Sequence, residues 1–459
     1  MDEPKFCVIA KLQFEILFGK VCRMVRKREL QPARRSKPLY YVLIASQLSS
    51  CFDGMFQLFR RLTQWKLAQL AAVWSLKHAL KYRRNASVLV EAFASMFQIA
   101  FHMGFSDNIA WMQERSLEII ADNVEHINMD YMKAVVKYYT ALIMCQTIRS
   151  TKLLSIELGR VVLKITDTLQ FKTSEWHIIP VLAELLMSHR KISDAVSMLR
   201  DFQSLTDRYQ DTSAKAWYYS IAMDIMLDTS CCVEPYKDCE TFFLKNCEAL
   251  GYQRDAYAVT RLFTNLWLWC VRNGAWETAD IWMNKLQEVF VLTPHDSMIN
   301  VHTALRLLEG LILTLVGKIE ARSILAIVRL QNEIERLCDN IEDALAISRS
   351  HEAKFRLCRI YYKKVVNGKY NAVAKLRKLR KQAIARNDLL CAEKTLHTIQ
   401  TKSKAMNMKR LPTDMSNTST SCHRAVLVQI DLVNNSSSAK RGRERNHRAG
   451  KKMEKSESF

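Results

Sequence analysis

The stretch from Asp255 to Leu292 constrains this chain most, because it reads as one complete helix-turn-helix unit. In its first half, AYAVTRLFTNLWLWCVRN, Val259, Leu262, Leu266, Trp269 and Cys270 recur mostly three and four apart, which lines them along one face of a helix. Gly274 follows Asn273 and can take the positive φ of a helix exit. Glu277 and Thr278 then open a second helix that carries Ala279, Met283, Leu286 and Phe290 on one face. Two amphipathic helices joined this tightly must pack against each other. Each pair then needs a neighbour to cover what remains apolar.

Leu266, Cys270, Gly274, Trp276, Ala279, Met283 and Leu286 follow the tetratricopeptide order of apolar, apolar, Gly, aromatic, Ala, large and apolar residues. Ala279 marks the expected closest approach of the two helices. Trp267 departs from the pattern, standing where it has a small residue, and Pro294 falls about three positions late. A second match lies in IIPVLAELLMSHRKISDAVSMLRDF: Leu182, Leu186, Arg190, Ile192, Ala195, Leu199 and Phe202 occupy the same offsets, with Arg in place of the turn Gly. Gly54, Gly104, Gly317 and Gly368 are read as further turns. The six candidate turns are spaced by 50, 86, 84, 43 and 51 residues, so two intervals are near twice the shortest. A unit of that length exceeds the roughly 34 residues of a tetratricopeptide and falls in the roughly 40 to 47 of HEAT or armadillo units. The expected fold is therefore all-α: a right-handed solenoid of degenerate, long-helix tetratricopeptide-like pairs.

Composition agrees. Only 11 Gly and 7 Pro occur in 459 residues, too few for the tight turns of a large sheet protein, and 49% of the chain is apolar. The 13 Cys are scattered, without a CxxC; Cys145, Cys270 and Cys358 sit on apolar helical faces, and Cys231, Cys232, Cys239 and Cys247 form a cluster read as buried free thiols. Residues 1–38 are read as a first helix, apolar through Phe6, Ile9, Leu12 and Ile16, followed by the basic, proline-containing loop LQPARRSKP. Residues 39–400 keep a helical period with short breaks, among them Asp339 to Asn340 and Asn387 to Asp388, and form the solenoid. Residues 401–459 lose that period in SNTSTS, NNSSS and AKRGRERNHRAGKKMEKSESF, the composition of a disordered basic tail.

No run approaches the roughly 18 uncharged apolar residues of a transmembrane helix; the longest candidates, Leu39 to Phe52 and Ala92 to Ser106, stop at Asp53 and Asp107. The start MDEPKF lacks a basic secretory n-region. The expectation is a cytoplasmic chain whose terminal basic run also suits nuclear import. The net charge is +22 and is concentrated in LRKLRKQAIARND and the terminal run. Lys375, Arg377, Lys378, Arg380 and Lys381 are therefore candidate contacts for an anion or an acidic partner. Nucleic acid is less favoured, because aromatics are not interleaved with these bases.

Catalytic signatures are missing. There is no GxxxxGK[ST], GxGxxG, HExxH or GxSxG, and Glu333 with Glu335 or Glu342 with Asp343 reads as solvated helix surface. The eleven His are isolated in sequence; His295 and His302, seven apart, carry no metal signature. No catalytic, cofactor-binding or metal-ligating residue is assigned.

The unit at 256–290, with EGLILTLVGKIEAR and FRLCRIYYKKVVNGKYNAVAKLRKLRKQAIARNDLLCAEK, resembles the C-terminal helical-repeat region of soluble, bicarbonate-responsive adenylyl cyclases across about residues 40–400. The resemblance implies a regulatory or scaffolding part, from a shortened relative or an incomplete gene model. The family's cyclase domains and P-loop module have no counterpart here, so no site residue carries over. Three functions follow as expectations. The first is a non-catalytic scaffold gripping a partner protein or peptide in a solenoid groove. The second is a regulatory segment in cyclic AMP signalling, and the third is an RNA-associated helical repeat protein.

Overall fold

The computed structural model describes residues 39–408, apart from 62–63, 82–84, 104–108, 124–127, 150–152, 169–177, 254–255, 290–297, 348–350 and 369. The expected helix and loop of 1–38, the tail beyond 408, Gly104 and Asp107 lie outside the described residues. What is described is all-helical: seventeen α-helices and no strand among the described residues. None is long and apolar enough to cross a membrane.

The contacts divide the chain into two compact units, residues 1–178 with 295–297, and residues 179–294 with 298–459. The first unit holds α1 (Leu39–Arg61), α2 (Trp65–Lys81), α3 (Ala86–Met103), α4 (Ile109–Asp122), α5 (Met129–Arg149) and α6 (Leu153–Thr168). Successive helices pack as neighbours, and α1, α3 and α5 also touch one another in turn, forming an inner row. Asp53 of α1 lies on that row. It accepts a hydrogen bond from Ser95 of α3 and pairs with Lys137 of α5 at 2.5 Å. The expected turn at Gly54 is therefore wrong. Lys137 neutralises the buried acid, no neighbour crowds Gly54, and α1 continues through both to Arg61.

The second unit holds α7 (Ile178–Ser188), α8 (Ile192–Tyr209), α9 (Thr212–Thr229), α10 (Tyr236–Gln253), α11 (Ala256–Asn273), α12 (Trp276–Val289), α13 (Met298–Glu320), α14 (Ile324–Ile347), α15 (Glu352–Val366), α16 (Ala372–Ala385) and α17 (Leu389–Met408). The odd-numbered helices from α9 to α17 touch in sequence, and each even-numbered helix from α8 to α16 packs on at least one odd neighbour. This two-row stacking of antiparallel pairs is the helical-repeat fold. Helix α17 runs eight residues past the point where the apolar period fades.

The turns explain the repeat. Gly274 has φ +71°, its N–H bonds to the Val271 carbonyl, and the Ala275 N–H reaches back to the Cys270 carbonyl, the Schellman arrangement. Arg190, which stands where Gly is expected, adopts the same geometry at φ 59°, with Arg190 N–H on Met187 O and Lys191 N–H on Leu186 O. Arg322 and Asn387 repeat it. The break at Asn387 to Asp388 is thus a turn. Gly368 lies between α15 and α16, also as expected, but without a positive φ.

Two further expected breaks, in the second unit, are not turns. Gly317 lies inside α13, and the chain turns five residues later at Arg322. A Cβ at this position would lie 3.5 Å from the indole ring of Trp276, an ordinary contact, so packing does not demand glycine there. Asp339 and Asn340 lie inside α14, flanked by the buried Cys338 and Ile341; they mark a solvated face without a residue that would break a helix. The odd Trp267 has a physical explanation. It is almost fully buried against α13, where Gly310 lacks the Cβ that would otherwise fall on its ring.

Candidate functional site

The repeat positions read from the sequence mostly line the core. Leu182, Leu186, Ala195, Leu199, Leu266, Cys270 and Ala279 are buried, whereas Met283 is half-buried and Trp276 is 44% exposed. Cys145, Cys270 and Cys358 are buried. In the thiol cluster Cys239 is buried, Cys231 half-buried and Cys232 exposed, so the expectation of uniform burial fails there: Cys232 stands in the α9–α10 loop. The basic residues Lys375, Arg377, Lys378 and Lys381 are exposed on α16, and Arg380 is half-buried. None of the five forms an ion pair among the described residues.

A groove of 510 Å³ opens between α12 and α14. Its floor is Met283 and Leu286 of α12 with Leu307 of α13 beneath, and its α14 wall carries Arg329, Asn332, Glu333 and Arg336. Arg329 and Arg336 are seven apart on one helical face, about 10 Å along the axis. Leu325 and Val328 extend that face as exposed apolar residues at 88% and 51%. The groove therefore combines an apolar floor with two solvated guanidinium groups.

A second feature was not read from the sequence at all. Within the second unit, α9, α11 and α13 bury an ionic network. Asp224 is fully buried and accepts from Arg261 Nε at 2.6 Å; its other oxygen lies 2.9 Å from His302 Nε2 and 3.2 Å from Arg306 Nη2. Arg306, also fully buried, reaches Asp228 at 2.7 and 2.9 Å. Glu309 pairs with Arg272, and Lys394 of α17 with Asp228. Asn265 donates to the Ser220 carbonyl at 2.9 Å beside these charges.

Burial alone would raise these carboxyls. Arg261, His302 and Arg306 more than offset it at Asp224, as do Arg306 and Lys354 at Asp228 and Arg272 and Arg306 at Glu309, so all three are held below the usual range. Burial, and next the charge of Arg261, pushes His302 down to about 4 against the pull of Asp224 and Glu184. His351 and Lys354 are lowered too, chiefly by burial.

At one end of this network Glu184 of α7, His302 of α13 and His351, the residue preceding α15, converge. One ligand atom from each lies within 4.8 Å of the others. His302 Nδ1 is 3.4 Å from Glu184 Oε1, and His351 Nε2 is 3.5 Å from Glu184 Oε2. Arg261 Nη2 stands 2.8 Å from Glu184 Oε1, without the alignment of a hydrogen bond. Burial raises the Glu184 carboxyl, but His302, Arg261 and His351 outweigh it, with Arg261 supplying the permanent charge.

Comparison with protein-family models, curated proteins and solved structures returns no match. The resemblance to the cyclase helical region therefore rests on the quoted segments alone. One sequence signal could have found the network. His302, Arg306 and Glu309 are four and three apart within the otherwise apolar INVHTALRLLEGLILTLV, and Asp224 and Asp228 are four apart in IAMDIMLD. Each is a polar stripe on a helix whose other faces are apolar. Such a stripe is buried only if neighbouring helices bring opposite charges to it.

Proposed function

We propose that this chain is a non-catalytic helical-repeat scaffold, and that its partner is an amphipathic helix or peptide with acidic flanks that docks between α12 and α14. The observation that carries the reading is the groove itself: an apolar floor beside Arg329 and Arg336 on one face of α14. A partner helix would place apolar side chains on Met283, Leu286 and Leu307. Its carboxylates, about two turns apart, would meet the two guanidinium groups. Both arginines are solvated, so this charge pairing would set orientation and encounter rate more than affinity.

The test is a charge swap. Helical peptides with an apolar stripe flanked by Glu two turns apart, and matched peptides with Lys in those places, are titrated against the full chain by fluorescence anisotropy. The acidic set should bind the wild type, and Arg329→Glu with Arg336→Glu should reverse the preference. Equal binding of both sets, or a preference that survives the swap, would refute the reading.

A further inference from the structure

We infer that Glu184, His302 and His351 form a binding site for a first-row divalent cation, with Zn²⁺ the ion their chemistry suits best. Two imidazoles and one carboxylate are a three-ligand zinc set that leaves a fourth position open. Tetrahedral zinc with bonds of about 2.0–2.1 Å spaces its ligand atoms roughly 3.3–3.4 Å apart. His302 Nδ1 lies 3.4 Å from Glu184 Oε1 and His351 Nε2 3.5 Å from the other oxygen, Oε2, so the carboxylate faces both rings, and one ligand atom from each residue lies within 4.8 Å of the others.

The surroundings support the same assignment. His302 Nε2 lies 2.9 Å from the Asp224 carboxylate, and with its N–H directed there, loss of the other ring proton leaves the Nδ1 lone pair facing Glu184. A cation ligated by both Nδ1 and Glu184 Oε1 would take the place of the proton that an imidazolium puts between them at 3.4 Å. Asp224 thus plays the part of the carboxylate that orients a metal-bound histidine. His351 occupies the N-cap of α15, yet its side chain makes no capping hydrogen bond, which leaves it to face Glu184. Both terminal nitrogens of Arg261 are buried: Nη2 is ion-paired with Glu184 Oε1 at 2.8 Å, and Nη1 has no hydrogen-bond acceptor among the described residues. Beside Glu184, Nη1 is suited to donate to a water or anion in the open position.

The experiment uses the full chain, stripped by a chelator and dialysed against Zn²⁺ alone. One tightly held zinc per chain is expected. The zinc X-ray absorption spectrum should show nitrogen and oxygen neighbours at about 2.0–2.1 Å, distinct from the sulfur distance of about 2.3 Å. His351→Ala should lower zinc affinity by at least about tenfold with helical circular dichroism unchanged. Cys231→Ser with Cys239→Ser should bind as the wild type does. Sulfur ligation, failure of the wild type to retain zinc, or undiminished affinity in a folded His351→Ala chain would overturn the assignment. The absorption spectrum needs no variant, so the inference stays testable even if His351→Ala does not fold.

Discussion

Replacing Arg306 by Met tests whether the buried ionic network holds the second unit together. The guanidinium is fully buried and serves Asp228 at 2.7 and 2.9 Å and Asp224 at 3.2 Å. Met has a similar reach and no charge, so a well-packed apolar replacement alone should cost under about 1.5 kcal/mol. If the account is right, removal also leaves two buried carboxylates short of a partner. Asp224 keeps Arg261 at 2.6 Å and His302 at 2.9 Å, and Asp228 keeps Lys394, so neither is stranded completely. The expected loss is about 3–5 kcal/mol, the range for breaking one side of a buried pair. With an m-value of about 2–3 kcal/mol/M, the urea midpoint followed by tryptophan fluorescence should fall by roughly 1–2.5 M. Arg306→Lys keeps the charge but loses the planar fork that reaches both acids, and should fall between wild type and Met. A loss below about 1.5 kcal/mol for Arg306→Met would mean that the ion pairs contribute nothing beyond volume, and would refute the reasoning.

Acid should weaken this unit in two overlapping steps. The folded pKa values of Asp228 and Glu309 are depressed, so their contribution is complete above the ordinary carboxylate range and is lost as pH falls through it. His302 is pushed down to about 4, so between there and its unfolded value of about 6.5 the unfolded chain binds more protons and stability falls with pH. Urea midpoints should therefore decline steadily from pH 7 to pH 4; a midpoint rising over that interval would contradict the assigned directions. Gly310→Ala should destabilise by about 1–3 kcal/mol, despite the roughly 1 kcal/mol that Ala gains in helix propensity, because its methyl falls on the Trp267 ring. Trp267→Leu in the same chain should recover most of that loss in chemical denaturation. Gly274→Ala should cost about 1 kcal/mol, since φ is +71° there. An RNA titration over a salt series checks the nucleic-acid alternative: phosphate contacts would make affinity fall steeply with salt, and the scaffold reading expects no binding tight enough to show such a slope.

The fold was legible wherever one local rule decided it. The period of Leu262, Leu266 and Cys270 and the glycine at 274 specify a helix, an exit and a second helix without help from distant residues. The matching offsets in 182–202 survive the replacement of Gly by Arg190 because a left-handed conformation costs an arginine little beside the burial of Leu186 and Ala195. Sequence reading failed where long-range contacts set the outcome. Gly310 is small because Trp267 presses on it from another helix, and Asp53 stays helical because Lys137, 84 residues away, neutralises it. The groove between α12 and α14 was not located by the sequence, because which helices border it depends on how α12, α13 and α14 pack. The Glu184, His302 and His351 cluster was invisible for a stronger reason. Its members come from three segments, none of which carries metal-binding spacing, and only the pairing of Asp224 with α11 and α13 brings them together.

The scaffold reading is tested most directly by amide hydrogen exchange on the full chain, with and without an acidic amphipathic peptide. Protection confined to α12, α13 and α14, and abolished by Arg329→Glu with Arg336→Glu, is the predicted result. Protection centred on the basic face of α16 instead, or none anywhere at saturating peptide, would contradict it.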